Sequence, residues 1–157
     1  MGGARAFRRG ARRRRVGVLA GVITLATAGS ALAAKPSAGA HFSGTTKQGR
    51  AITFAISSNR KHIVDMHFYL VTSCHPGNSS IHTGSKPPSI SISTSGRFSF
   101  HYKIPTEHYA HGVTGSGRVA LRGTFTSTKK ASGWLSGSFH YSTGQVCRGK
   151  TKFTASA

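Results

Sequence analysis

From Gly117 to Tyr141 the chain reads GRVALRGTFTSTKKASGWLSGSFHY, and its large apolar residues fall on alternate positions. A period of two is the signature of an extended strand with one buried face, and no helix can satisfy it. Val119, Leu121 and Phe125 share one parity with Gly123, while Arg118, Ala120, Arg122, Thr124 and Thr126 take the other. The second arm places Leu135, Gly137, Phe139 and Tyr141 against Trp134, Ser136, Ser138 and His140. Ser127 to Gly133 holds two lysines, two serines and a glycine, which predicts a hairpin connection of more than two residues. Trp134, the only tryptophan, lies on the polar parity. A local bulge that turns it into the core is favoured over exposure at a binding face.

The same alternation recurs upstream. His41–Thr46 carries Phe42, and Arg50–Ser57 carries Ile52, Phe54 and Ile56. His62–Thr72 places Val64, Met66, Phe68 and Leu70 on the expected core face, with Asp65 opposite as a satisfied strand carboxylate. Ile90 and Ile92, then Phe98, Phe100 and Tyr102, mark two more segments, and Phe153 centres a last one. A further short strand is expected near Ile81. Pro105 is expected to stop its strand, leaving Thr106–Ser116 as a polar, Gly-rich loop of the kind that carries function. Short strands punctuated by Gly, Pro and Asn predict an all-β domain of seven to nine short strands, an antiparallel sandwich or partly closed barrel.

The first 33 residues do not belong to that domain. Seven arginines between Arg5 and Arg15 precede an apolar run from Val16 to Ala28 and the small-residue site Ala31-Leu32-Ala33. This is the plan of a helical signal peptide over residues 1–33, cleaved after Ala33 by a Sec-type route, with the paired arginines leaving a twin-arginine route open. The apolar run falls short of the ~20 residues that span a bilayer, so no transmembrane anchor is expected after processing. Residues 34–40 read as a flexible linker and 41–157 as a single β domain. The protein is therefore expected to be secreted or held at the cell surface.

Removing the leader takes seven of the 22 basic residues, leaving fifteen against Asp65 and Glu107, a net charge of about +13. Such a surface attracts polyanions, and the expected partners are anionic polymers of the envelope or extracellular matrix. Arg118, Arg122, Lys129, Lys130, Lys150 and Lys152 are the candidate contacts, Arg118 and Arg122 being of like parity. Because most aromatics occupy the inward parity, no specific nucleic-acid recognition is expected. The two cysteines, Cys74 and Cys147, predict one disulfide in an oxidising compartment.

Enzymatic signatures are sparse. Gly115-Ser116-Gly117-Arg118-Val119-Ala120 matches a dinucleotide fingerprint in spacing, but a strand follows it and no acidic residue occurs after Glu107. Asp65 and Glu107 are the only pair available for glycoside hydrolysis, and no G-x-S-x-G elbow is present. Nine histidines raise the question of metal, for which Glu107, His108 and His111 are weak candidates. No catalytic residue, metal or cofactor is expected. The alternative is a small extracellular hydrolase or metal-binding protein that uses the 105–116 loop.

The runs QGRAITFAIS (Gln48–Ser57), SGRFSF (Ser95–Phe100) and RVALRGTFTSTKKASGWLSGSF closing on VCRGKTKFTA resemble a family of small exported actinobacterial β-domain proteins of unassigned function. The resemblance covers nearly all of the chain after the leader. It implies export, a β fold and the disulfide, and it supplies no site. Together these features predict a non-enzymatic binding module at the cell envelope.

Overall fold

The computed structural model describes residues 34–78, 80–85 and 89–157. The signal peptide and its cleavage after Ala33 lie outside the described residues. Among those described, the chain forms nine strands: β1 His41–Thr46, β2 Ala51–Ile56, β3 His62–His75, β4 Ser80–Ser85, β5 Ile90–Ser91, β6 Arg97–His108, β7 Thr114–Ser127, β8 Lys130–Tyr141 and β9 Val146–Ser156. A single 3-10 turn, Ala110–Gly112, separates β6 from β7. The expected all-β architecture is what the described residues adopt. Its strands are longer than expected, however, with β3 and β7 each running for 14 residues.

All pairings are antiparallel, in the order β4-β3-β2-β1-β9-β8-β7-β6. The sheet also curls on itself, because the C-terminal half of β3 pairs with the start of β9. Strands β1, β2, β3 and β9 thereby close into a four-stranded ring, and β6, β7 and β8 extend from β9 as an open wing. Short β5 pairs with the start of β3, and an isolated Ile92–Phe98 bridge ties it to the wing. The closure is covalent as well: Cys74 stands directly opposite Cys147, and the two form a disulfide.

Two side-chain details make so small a ring possible. Gly44 of β1 lies so close to the Thr154 carbonyl of β9 that an added Cβ would overlap it and stand 2.6 Å from the Ala155 Cα. Only a residue without a side chain brings the strands together there. Gln48, in the β1–β2 turn, extends the ladder with its amide. Its Nε2 donates to the Val71 carbonyl at 2.8 Å, and its Oε1 accepts from the Val71 N–H at 3.0 Å. One side-chain amide thus engages both backbone groups of Val71.

The core joins ring to wing. Phe42 and Phe54 stack with centroids 5.0 Å apart, and Phe125 meets Phe42 edge-on at 5.5 Å and Phe98 at 5.2 Å. Four rings from β1, β2, β6 and β7 therefore form one aromatic cluster, all of them buried. Burying each contributes roughly 1.5–3 kcal/mol relative to leaving it in water.

Four expectations are corrected. In β3 the core parity changes: Ile63 is buried and Val64 only half-buried, whereas Met66, Phe68 and Leu70 are buried as expected. The cause is a bulge opposite Phe54, where Asp65 has φ +50° and one extra residue shifts the register between Thr53 and Ala55. Asp65 is thus an exposed bulge residue rather than a regular strand position. The β7–β8 connection is a two-residue turn at Thr128-Lys129, with Ser127 paired to Lys130, tighter than expected. Pro105 does not end its strand. β6 runs on to His108, with a register shift between Ile104 and Glu107 that accommodates the proline. At the edge of the sheet, a missing N–H breaks no ladder.

Residues 34–40, expected to be a flexible linker, lie against the domain. Pro36 is fully buried, the Ser37 N–H donates to the Thr128 carbonyl, and the Ile56 N–H donates to the Ala40 carbonyl. No helix among the described residues is long and apolar enough to cross a membrane.

Candidate anion-binding face

The register of β6 to β9 aligns the polar parity of each strand into rows across the sheet. One row runs Ser99–Arg122–Trp134–Lys152, and the backbone N–H of Lys47 donates to the Lys152 carbonyl at its end. The next toward β1 runs Arg97–Thr124–Ser132–Thr154–Thr45. On the other side come His101–Ala120–Ser136–Lys150 and Lys103–Arg118–Ser138–Arg148. Directly opposed residues of an antiparallel pair point to the same side of the sheet, so all these side chains share its outer face. Seven cations result: Arg97, Lys103, Arg118, Arg122, Arg148, Lys150 and Lys152. No side-chain carboxylate stands among them. Glu107 pairs with Gly115 on the inner parity, and Asp65 belongs to β3.

Trp134 is on this face. Its pairings to Arg122 and Lys152 are regular, with no bulge to turn the indole inward, so the inward reading is overturned. The register shift in this hairpin falls at Phe125–Ser127 instead. The half-buried ring is covered by cations, with Lys150 Nζ at 4.7 Å and Lys152 Nζ at 4.9 Å from its centroid. Both distances lie inside the ~6 Å range where the ring quadrupole attracts an ammonium. The indole therefore restrains two lysines that would otherwise sample many rotamers.

A cleft of about 1060 Å³ opens on the same face. Its walls carry Lys47, Arg97, Arg122, Lys152 and Trp134, together with the hydroxyls of Thr45, Ser93, Thr124, Ser132 and Thr154. The facing glycines Gly123 and Gly133 contribute backbone, and Phe98 and Phe153 lie beneath. A smaller cavity of about 390 Å³ adjoins it, sharing Thr45, Ser132 and Thr154 and adding Lys130.

Of the six cations picked out from the sequence, Arg118, Arg122, Lys150 and Lys152 meet on this face. Lys130 borders the smaller cavity, and Lys129 sits in the β7–β8 turn. Parity alone could not add Arg97, Lys103 and Arg148, because which strands are neighbours is a long-range fact. Lys47 comes from the turn after β1 and carried no sequence signal.

The 105–116 segment is arranged differently. Glu107 and His108 are consecutive in β6 and point to opposite faces, while His111 lies in the 3-10 turn with φ +60°. Among the described residues no three of His, Cys, Asp and Glu come together as a metal would require. Glu107 accepts instead from the Tyr109 hydroxyl at 3.3 Å. Burial, followed by the neighbouring Glu107 and Tyr141, raises the Tyr109 pKa above its usual value, and burial raises that of Tyr141.

Comparison with known protein families, with characterised proteins and with solved structures returns no match for this chain.

Proposed function

We infer that this protein is an exported, non-enzymatic binding module that works at the cell envelope by holding an anionic polymer on the outer face of β6–β9. The observation that carries this reading is the alignment of seven cations in four adjacent rows, without a carboxylate between them. Like charges set side by side on a sheet repel one another and lower stability. A counter-anion relieves that repulsion. The leader-like N-terminal sequence supports export, and the disulfide is at home in an oxidising compartment.

The test is direct binding of the domain, residues 34–157, to heparin-like, teichoic and nucleic polymers over a range of salt concentrations. Association that weakens steeply and linearly on a log–log plot as salt rises is the expected result. Binding indifferent to ionic strength, or none at low salt, would remove the proposal. The charge-reversed variant Arg118→Glu with Lys150→Glu should bind far more weakly at every salt concentration.

A further inference from the structure

The two rows that line the cleft differ in chemistry. One presents Lys47, Lys152 and Arg122 around Trp134; its neighbour presents the hydroxyls of Thr45, Thr154, Ser132 and Thr124 in succession and carries a cation, Arg97, only at its β6 end. Strands lie ~4.8 Å apart and alternate residues on a strand ~6.7 Å apart, so the rows are parallel tracks separated by about the width of one sugar ring with its substituents. A bare polyphosphate can only accept from such hydroxyls, whereas a sugar hydroxyl can both donate to them and accept from them. A base-stacking ligand needs free aromatic faces. Trp134 is the one Phe, Tyr or Trp in the β6–β9 outer rows, and two ammonium groups cover its ring.

Resting on the polyanion reading above, we propose that the cleft is a subsite for an acidic oligosaccharide lying across the strands, its carboxylates on the Lys47/Lys152/Arg122 track and its hydroxyls on the Thr45/Thr154/Ser132 track. Trp134 acts here as a positioning residue. It does not stack on the sugar; it holds Lys152 on the carboxylate track and Lys150 in the row beside it, which lowers the entropy lost when Lys152 is ordered on binding. A ligand that carries its charges along one edge and its hydroxyls along the other fits both tracks at once.

The experiment measures binding of a size-defined oligogalacturonate, a linear polyphosphate and an oligodeoxythymidylate of matched charge at low salt, using Trp134 fluorescence and calorimetry on residues 34–157. The hydroxyl-track variant Ser132→Ala with Thr154→Val should weaken oligogalacturonate at least tenfold and leave polyphosphate within about twofold. Lys152→Gln should weaken both. Trp134→Leu should weaken oligogalacturonate while Trp134→Phe restores much of the loss, the unfolding midpoint confirming that each variant is folded. Equal effects of the hydroxyl variant on both anions, or oligodeoxythymidylate binding as tightly as the uronate, would overturn the subsite and leave the polyanion reading standing. Failure of all three anions to bind the unaltered domain would overturn both.

Discussion

The closed ring and the open wing are built from the same alternating code, yet they spend their two faces differently. In the ring, β1, β2, β3 and β9 pair on both sides, and their inner positions Phe42, Ile52, Met66, Leu70 and Phe153 are all buried. In the wing, β7 and β8 also bury their inner parity, at Val119, Leu121, Phe125, Leu135 and Phe139, whereas β6 does so only at Phe98. Farther along β6, Phe100 is half-buried and stacks on Tyr102 at 6.0 Å, and Tyr102 and Tyr109 are exposed. The ring holds the molecule together. The wing holds out a surface, and with β9 it carries the cations. Stability and recognition therefore occupy opposite faces of β7, β8 and β9, and β6 gives most of its length to the second.

That division can be broken most severely at the ring's tightest contact. Gly44→Ala should cost on the order of 5 kcal/mol, since the new methyl meets backbone rather than a movable side chain, and urea unfolding or loss of soluble protein would register it. Opening the disulfide with Cys74→Ala and Cys147→Ala should cost roughly 4 kcal/mol by the loop-closure estimate, read as a shift of the urea midpoint. Gln48→Ala, which takes that amide away from the Val71 N–H and carbonyl, should cost about 1–2 kcal/mol by the same measurement. Tyr102→Ser, far out on the wing, should change stability by less than about 1 kcal/mol. A Tyr102 effect as large as that of Gln48 would mean that the outer part of β6 is as integral as the ring.

The smallest expected effect is one of pH. The Tyr109 pKa is raised in the folded chain, so the folded state holds its phenolic proton more tightly than the unfolded state does. Its contribution to stability is complete below the ordinary tyrosine value of 10.0 and is lost as pH climbs through the raised one. Tyr109→Phe should therefore flatten the decline in urea midpoint between about pH 9 and about pH 11. An identical decline in both proteins would separate Tyr109 from the alkaline loss.

Parity was legible wherever a strand was regular. Phe42, Ile52, Phe54, Ile56, Val119, Leu121, Phe125, Leu135 and Phe139 are buried as the alternation requires. It failed where one residue is inserted, as at Asp65, because a bulge leaves no mark in composition and flips every side chain beyond it. It failed again at Pro105, whose meaning depends on whether its strand is an edge. Trp134 keeps the polar parity of its strand because no residue is inserted on either side of it, so register and not side-chain bulk decides which way it faces. The candidate site was half legible for a related reason. A single strand shows which of its residues share a side, but only the fold shows that Arg122, Lys152 and Lys47 are neighbours.

The central claim is that anions are held on the outer face of β6–β9, and amide chemical shifts followed during a titration of residues 34–157 with oligogalacturonate test it most directly. The account predicts that perturbed amides cluster at Arg122, Trp134, Lys152 and their cross-strand neighbours and revert when salt is added. Perturbations gathered on the inner wing around Tyr102 and Tyr109, or scattered evenly over all strands, would contradict it.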